Sequence, residues 1–285
     1  MTTSIFDKMR PSHLKSRIRE HQTELLASRL QAFSFPSRNA SSSLKFVVKI
    51  PDNKYSDLGV RLYGPHTIHV RDLESIPLEL AKLGVDPRFK RFYFNTLSLE
   101  GTFDPECHTG LRCVEKVERV LSLTEVKETS IYRATVAGYR IERYHCSIAA
   151  KSAELLQLNR AFHNSKSLDS AWMEKQYIRS PGDHHQILTF IARSPDEEIV
   201  GFADVILSEP NEEAAMQRNT FVSVEHRNLG LGTSLKGGLV NSIANSTSKQ
   251  WVIAHNEAEN VQMTHISDNL GFRTIQKYKR IEGDL

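Results

Sequence analysis

Two glycines two positions apart, standing where a β-prone run gives way to a helical pattern, are the feature of this sequence best suited to chemistry. The run Phe221-Val222-Ser223-Val224 leads into the polar turn Glu225-His226-Arg227-Asn228-Leu229, then into Gly230-Leu231-Gly232-Thr233. Leu231, Leu235, Leu239 and Ile243 follow at i, i+4 spacing, which predicts a helix beginning at the glycines. Positions without a Cβ let a ligand approach the backbone. The first turn of a helix has N–H groups with no intrahelical partner and the positive end of the dipole, so a pyrophosphate suits it. Neither common nucleotide fingerprint fits. A dinucleotide turn needs a third glycine where Leu235 stands, and in place of the Gly-Lys-Ser/Thr of a P-loop, Lys236 is followed by Gly237.

The elements that must position this turn are readable on both sides of it. Upstream, Tyr139, Ile141, Arg143 and Cys146 mark a strand beginning near Gly138, and Leu155, Leu158 and Phe162 share one helix face, as do Leu168 and Trp172. Strands are predicted at 186–192 and 199–207, joined by the turn Ser194-Pro195-Asp196-Glu197, and at 216–224. Downstream come a strand at 250–254 and a helix over 257–269, with Asn256 and Glu259 as its cap, Met263, Ile266 and Leu270 on its buried face and Gly271 at its end. The stretches 272–275 and 278–281 can close the sheet.

With these elements in place, Arg227-x-x-Gly230-x-Gly232 between a strand and a helix resembles the acetyl-coenzyme A loop, Gln/Arg-x-x-Gly-x-Gly/Ala, of the GNAT (Gcn5-related) N-acetyltransferases. The later stretch from Asn260 to Leu270-Gly271-Phe272 resembles that family's following helix, with its leading asparagine and closing Leu-Gly-Phe at the usual distance. The resemblance covers roughly residues 138–285 and is nearest to the two-domain bacterial group that includes mycothiol synthase. It implies an α/β (α+β) fold with a mixed, mostly antiparallel sheet flanked by helices, acetyl-CoA as donor, and acetyl transfer to an amine by direct attack in a ternary complex.

Carried onto this chain, the resemblance assigns main-chain groups of Val222, Ser223 and Val224 to the pantetheine arm. The amides from Arg227 through Asn228, Leu229, Gly230, Leu231 and Gly232 to Thr233 fall to the pyrophosphate. Arg227 adds charge or is simply solvated; Asn260 bonds coenzyme or caps its helix. The family's general-acid tyrosine, five residues before the closing phenylalanine, is here Ser267, which relays a proton weakly or is an exposed helix residue. Glu225, His226, Asp204 and His265 all fall near the expected cleft as candidate bases, although His226 stands where a packing aromatic is usual and Glu225 is expected in solvent. His163 and Trp172 lie where the family roofs its acceptor site; their plainer readings are a loop residue and a core residue. A catalytically silent acyl-CoA-binding or regulatory protein, and a protein N-acetyltransferase directed by its N-terminal domain, are the alternative functions.

The rest of the chain sets bounds. At 285 residues, 39% hydrophobic and 25% charged, it has globular composition with room for two domains. A net charge of +3 is too mild to argue for nucleic acid and suits a polyanionic small ligand. Residues 1–43 are basic, with seven Lys/Arg against Asp7, Glu20 and Glu24, and read as a helix followed by a linker at 34–43; a mitochondrial leader is the alternative to a cytoplasmic location. No apolar run suits a membrane span. Residues 44–137 read as a smaller α+β domain, with strands at 44–50, 59–62, 67–70 and 91–97 and a helix at 73–83. Arg61-Leu62-Tyr63-Gly64 there imitates half of the coenzyme loop, but Pro65 has no N–H and His66 replaces the second glycine, so a degenerate GNAT-like unit is expected. Cys107, Cys113 and Cys146 lack C-x-x-C spacing, and neither Cys107-His108 nor His66 with His69 is joined by further ligands, so no metal is expected.

Overall fold

The computed structural model describes residues 30–36, 43–49, 58–65, 67–106, 108–126, 138–177, 186–207 and 213–285. The expected basic helix within 1–29, and His66 and Cys107, lie outside these. The described residues fall into two units, one running to Val117 and including 257–259 and 276–285, the other comprising 118–256 and 260–275. In this grouping 118–126 go with the second unit, and 257–259 and 276–285 with the first.

In the first unit, alternation builds a sheet with one apolar face. Its strands are β1 (Leu30–Pro36), β2 (Ser43–Lys49), β3 (Val60–Tyr63), β5 (Arg91–Thr96) and, from Gln276 onward, β13 (Arg273–Asp284), in the order β1-β2-β3-β5-β13. β1 occupies positions 30–36, so the expected linker at 34–43 begins as a strand, paired antiparallel to β2 with Leu30 opposite Lys49. Phe46 and Val48, Val60 and Leu62, and Phe92 and Phe94 alternate inward and bury against Leu73, Ile76 and Leu80. The last three come from α1 (Val70–Leu73) and α2 (Ser75–Lys82), which carry the chain from β3 to its parallel neighbour β5. Two short strands, β4 (Thr67–His69) and β6 (Ser98–Glu100), pair separately.

The second unit has the sheet order β7-β12-β11-β10-β9-β8. These strands are β7 (Leu111–Ser122), of which 118–122 belong here, β8 (Arg140–Tyr144), β9 (Gln186–Arg193), β10 (Ile199–Leu207), β11 (Ala214–Val222) and β12 (Trp251–Glu257). β8 to β11 are sequential antiparallel neighbours, and β11 and β12 are parallel. β7 was not foreseen. It lies beside β12, and the stretches after Gly271, expected to close the sheet, form the single strand β13.

Between β8 and β9 run α3 (Cys146–Ala149), α4 (Ala153–His163) and α5 (Ser170–Tyr177); Ser152 caps α4 by accepting from Leu155 N–H at 3.1 Å. α6 (Leu231–Ser246) joins β11 to β12, and α7 (Val261–Asn269) follows. Leu231, Leu235, Leu239 and Ile243, the predicted stripe, are all buried in one cluster with Ala203, Val205, Val252, Ala254 and Phe272. Among the described residues no helix is long and apolar enough to cross a membrane.

Candidate functional site

β11 and β12 pair over only three residues each, Ala214–Met216 against Trp251–Ile253. Parallel strands that start together and stop pairing leave their later N–H and C=O groups facing a gap. These groups need partners. β11 runs on to Val222, directly before the glycine turn, so a ligand held at the turn can reach the open edges as an extended chain.

The turn is shaped by two left-handed residues, Asn228 at φ 63° and Gly230 at φ 76°. Gly230 is the N-cap of α6 and offers no side chain to the first-turn amides, which stay available to an outside acceptor. A Cβ on Gly232 would stand 3.0 Å from the Cδ1 of Ile266 on α7, so α6 and α7 approach closely here. Arg227 folds back on its own strand: its Nε donates to Val222 O at 3.0 Å and its guanidinium lies 5.8 Å from the Phe221 ring centroid. Glu225 is exposed, as expected. His226 is half-buried, its Nδ1 2.7 Å from the Tyr139 hydroxyl with the rings edge to face, which matches a packing role.

Other candidate positions resolve to the plainer of their readings, and some to neither. Asn260, not Asn256, caps α7: its Oδ1 accepts from Met263 N–H at 2.9 Å. His265 is exposed on α7, its Nε2 3.0 Å from Asn269 Nδ2. Trp172 is 6% exposed, a core residue, with its ring edge to face with His163 at 5.5 Å. Ser267 is the sharpest correction. Far from being an exposed helix residue, it is 0% exposed and accepts a hydrogen bond from Lys236 Nζ at 2.8 Å. Lys236, 1% exposed, also lies 4.2 Å from the Phe272 ring centroid, and burial, helped by the Arg119 charge, lowers its pKa to about 7.

On the opposite face of the sheet a row of ionisable groups crosses the strands at one level. The β10–β11 register shifts between Ala203 and Val205, which pair with Thr220 and Gln217, so Asp204 stands opposite a bulge containing Arg218 and Asn219. Asp204 is 0% exposed, its Oδ2 accepts from Asn219 Nδ2 at a long 3.4 Å, and its Oδ1 has no hydrogen-bond partner among the described residues. Burial raises its pKa to about 6, Arg218 and Asn219 opposing. Burial and the Asp204 carboxylate together push the nearby Tyr177 phenol above its usual range. Two residues beyond the last β11–β12 pair come Arg218 and His255. His255 Nδ1 lies 3.7 Å from Oε2 of the fully buried Glu118 on β7. A carboxyl group titrating near 6 and an imidazole beside a carboxylate are suited to taking a proton from an ammonium group.

Sequence reasoning named Asp204 but missed Lys236, His255 and Glu118. A lysine directly before a glycine pair, and a histidine and a glutamate 137 residues apart, carry no local signal. Among the described residues no three His, Cys, Asp or Glu side chains converge as metal ligands. A cavity of about 330 Å³ in the first unit, lined by Glu74, His108 and Asp284 among others, carries the wrong charge for a polyphosphate.

No family model and no curated protein matches the sequence. Solved structures do match it. A tandem GNAT protein from the clavulanic acid biosynthesis pathway superposes with a TM-score of 0.60 at 17% identity, covering 90% of this chain and 84% of that one. A GCN5-related N-acetyltransferase from Kribbella flavida gives 0.56 at 14% identity with 94% of both chains covered. Another from Sphaerobacter thermophilus gives 0.56 at 11%, covering 85% of this chain and 76% of that one. The chain thus has a GNAT fold, and its likeness to the tandem GNAT protein covers 90% of its length.

Proposed function

We propose that this protein transfers an acetyl group from acetyl-CoA to the amine of a small-molecule acceptor, by direct attack within a ternary complex. The observation that carries this reading is the glycine turn at the head of α6 beside the opened edges of β11 and β12. The turn's amides from Asn228 to Thr233 suit the pyrophosphate, the Arg227 N–H being bonded to Val224 O at 3.3 Å. The edge of β11 past Met216 suits the amides of the pantetheine arm, and Gln217, whose buried Oε1 has no partner among the described residues, adds an acceptor at the start of the gap; at Val222 to Val224 the Val222, Ser223 and Val224 carbonyls and the Ser223 N–H already have partners within the protein. The acceptor amine would approach from the Asp204 and His255 face and lose its proton there, and backbone donors would stabilise the tetrahedral oxyanion. Acetyl-CoA supplies the activated thioester.

Thermal unfolding tests the central assignment. Acetyl-CoA at 100 times its dissociation constant should stabilise the fold by about 2.7 kcal/mol, and Gly230→Asp, which sets a carboxylate beside the pyrophosphate, should abolish the shift. An unfolding temperature unmoved by acetyl-CoA would remove the proposal. Ser267 in place of a tyrosine favours a second reading, an acyl-CoA-binding protein without turnover. Release of CoA during incubation with a library of amines separates the two.

A further inference from the structure

A β-bulge re-aims side chains, and the one in β11 brings two consecutive residues, Arg218 and Asn219, to the α5 side of the second unit's sheet. Asn219 bonds Asp204. Arg218 instead reaches α5, its Nη2 donating to Gln176 Oε1 at 2.7 Å. A guanidinium has five N–H donors, and among the described residues the others meet no acceptor and no carboxylate at ion-pair distance. Asp204 feels the Arg218 charge but is not bonded to it. Arg218 is half-buried rather than enclosed, and it stands two residues beyond Met216, where β11 no longer pairs with β12. A ligand entering the gap therefore comes to the strand segment that carries it. As a tie between helix and strand a lysine would serve equally; what the planar fork adds is bidentate binding of a carboxylate.

We propose that the acceptor is a small amino acid, its carboxylate seated on Arg218 and its amine presented to the donor thioester in the gap, with Gln176 holding the guanidinium in place. The inference rests on the acetyl-transfer reading and names the acceptor class for it. The charge order on this face agrees with a zwitterion. Asp204 on β10 is across from the bulge that carries Arg218, and neighbouring strands lie about 4.8 Å apart. A negative and a positive group are thus set a few ångströms from each other, as the ammonium and carboxylate of an amino acid are. In the reaction the neutral amine nitrogen bonds the acetyl carbon, and the carbon–sulfur bond breaks with its electron pair on sulfur. The proton lost by nitrogen balances the thiolate, and the carboxylate on Arg218 stays unreacted.

The test compares acids with their amides. Intact protein with saturating acetyl-CoA is given the common amino acids and β-alanine, each beside its carboxamide, and release of CoA is followed. At least one amino acid should be turned over with a kcat/KM about 10- to 100-fold above that of its amide, after correction for the fraction of neutral amine, the worth of a hydrogen-bonded charged contact. Arg218→Gln should abolish that ratio, chiefly through KM for the acid. Arg218→Lys, which keeps the charge and loses the fork, should retain part of it, and Gln176→Ala should lower it through the same KM. Thermal unfolding identifies the folded variants, and Arg218→Lys reads the ratio should the glutamine variant not fold. A wild-type ratio near one, a preference for amides, or an unchanged ratio in a folded Arg218 variant would overturn the inference and leave the coenzyme reading in place. So would a panel with no amino acid turned over while acetyl-CoA stabilises the fold. An unfolding temperature unmoved by acetyl-CoA would overturn both.

Discussion

A Cβ placed on Gly64 would lie 2.3 Å from Cε1 of Phe46, inside the van der Waals shell of a buried ring. The glycine in the half-copy of the coenzyme motif is therefore occupied in packing β3 on β2. Gly64→Ala should destabilise the first unit by about 1–3 kcal/mol through overpacking, seen as a lowered denaturant midpoint, and should leave acetyl-CoA affinity unchanged. Calorimetry should correspondingly give one coenzyme per chain; two equivalent sites would contradict this use of Gly64.

Gly230 and Gly232 should respond differently to the same substitution. At φ 76° an alanine at 230 costs about 1–2 kcal/mol from the left-handed backbone alone. At 232 the residue has helical geometry, where alanine gains up to about 1 kcal/mol over glycine, set against a 3.0 Å contact with the movable end of Ile266. Gly232→Ala should thus lie near neutral in thermal unfolding, and Gly230→Ala well below it. Matching losses at the two sites would mean that the backbone at 230 is not held in the left-handed region.

Asp204 gives a pH signature. Its folded-state pKa of about 6 exceeds the unfolded value of about 3.9, so between those values the folded state binds more protons and stability falls as pH rises. The loss is complete above pH 6 and amounts to about 2–3 kcal/mol. Asp204→Asn should recover much of it at pH 7 to 8 and flatten stability between pH 4 and 6. If Asp204 serves as a base, the same variant lowers turnover of an amine about 100-fold or more. Unfolding curves at several pH values check the first claim, and CoA release the second.

Ser267→Tyr, which restores the residue usual in the resembling family, should not rescue anything by itself. The site is filled by Lys236 and Phe272, so the larger ring should cost about 1–3 kcal/mol or more by overpacking. Adding Lys236→Leu frees the space and removes the buried charge, and should return at least about 1 kcal/mol as a coupling between the two sites. A double-mutant cycle by chemical denaturation measures it; strict additivity would show that the two side chains do not share one space.

What was legible in the sequence follows the range of the interaction that decides each element. The glycine turn and α6 were readable because strand propensity, glycines and an i, i+4 stripe act within 25 residues, and β10 was placed at its observed bounds because alternation and turn residues agree there. β7 escaped notice because LRCVEKVERVLS mixes charges through its length, and what makes it a strand is a place beside β12, far away in sequence. The Ser-rich stretch at 34–43 looked like a linker, yet Leu30–Pro36 pairs with β2 through backbone groups whose side chains give little sign of it. In the same way a lysine and a serine 31 positions apart each look like surface residues, and only their convergence between α6 and α7 makes them a pair.

The pairing of β13 with β5, Lys279 opposite Thr96 and Asp284 opposite Arg91, bears on the order in which the chain can finish folding. During synthesis β2, β3 and β5 emerge first, but β5 keeps an unpaired edge until the segment after Gln276 has followed the whole second unit out of the ribosome. At about 5–20 residues per second that edge waits on the order of ten seconds or more. The half of the molecule made first is thus the half completed last, and chaperone capture or misassembly during biogenesis should centre on the open side of Arg91–Thr96.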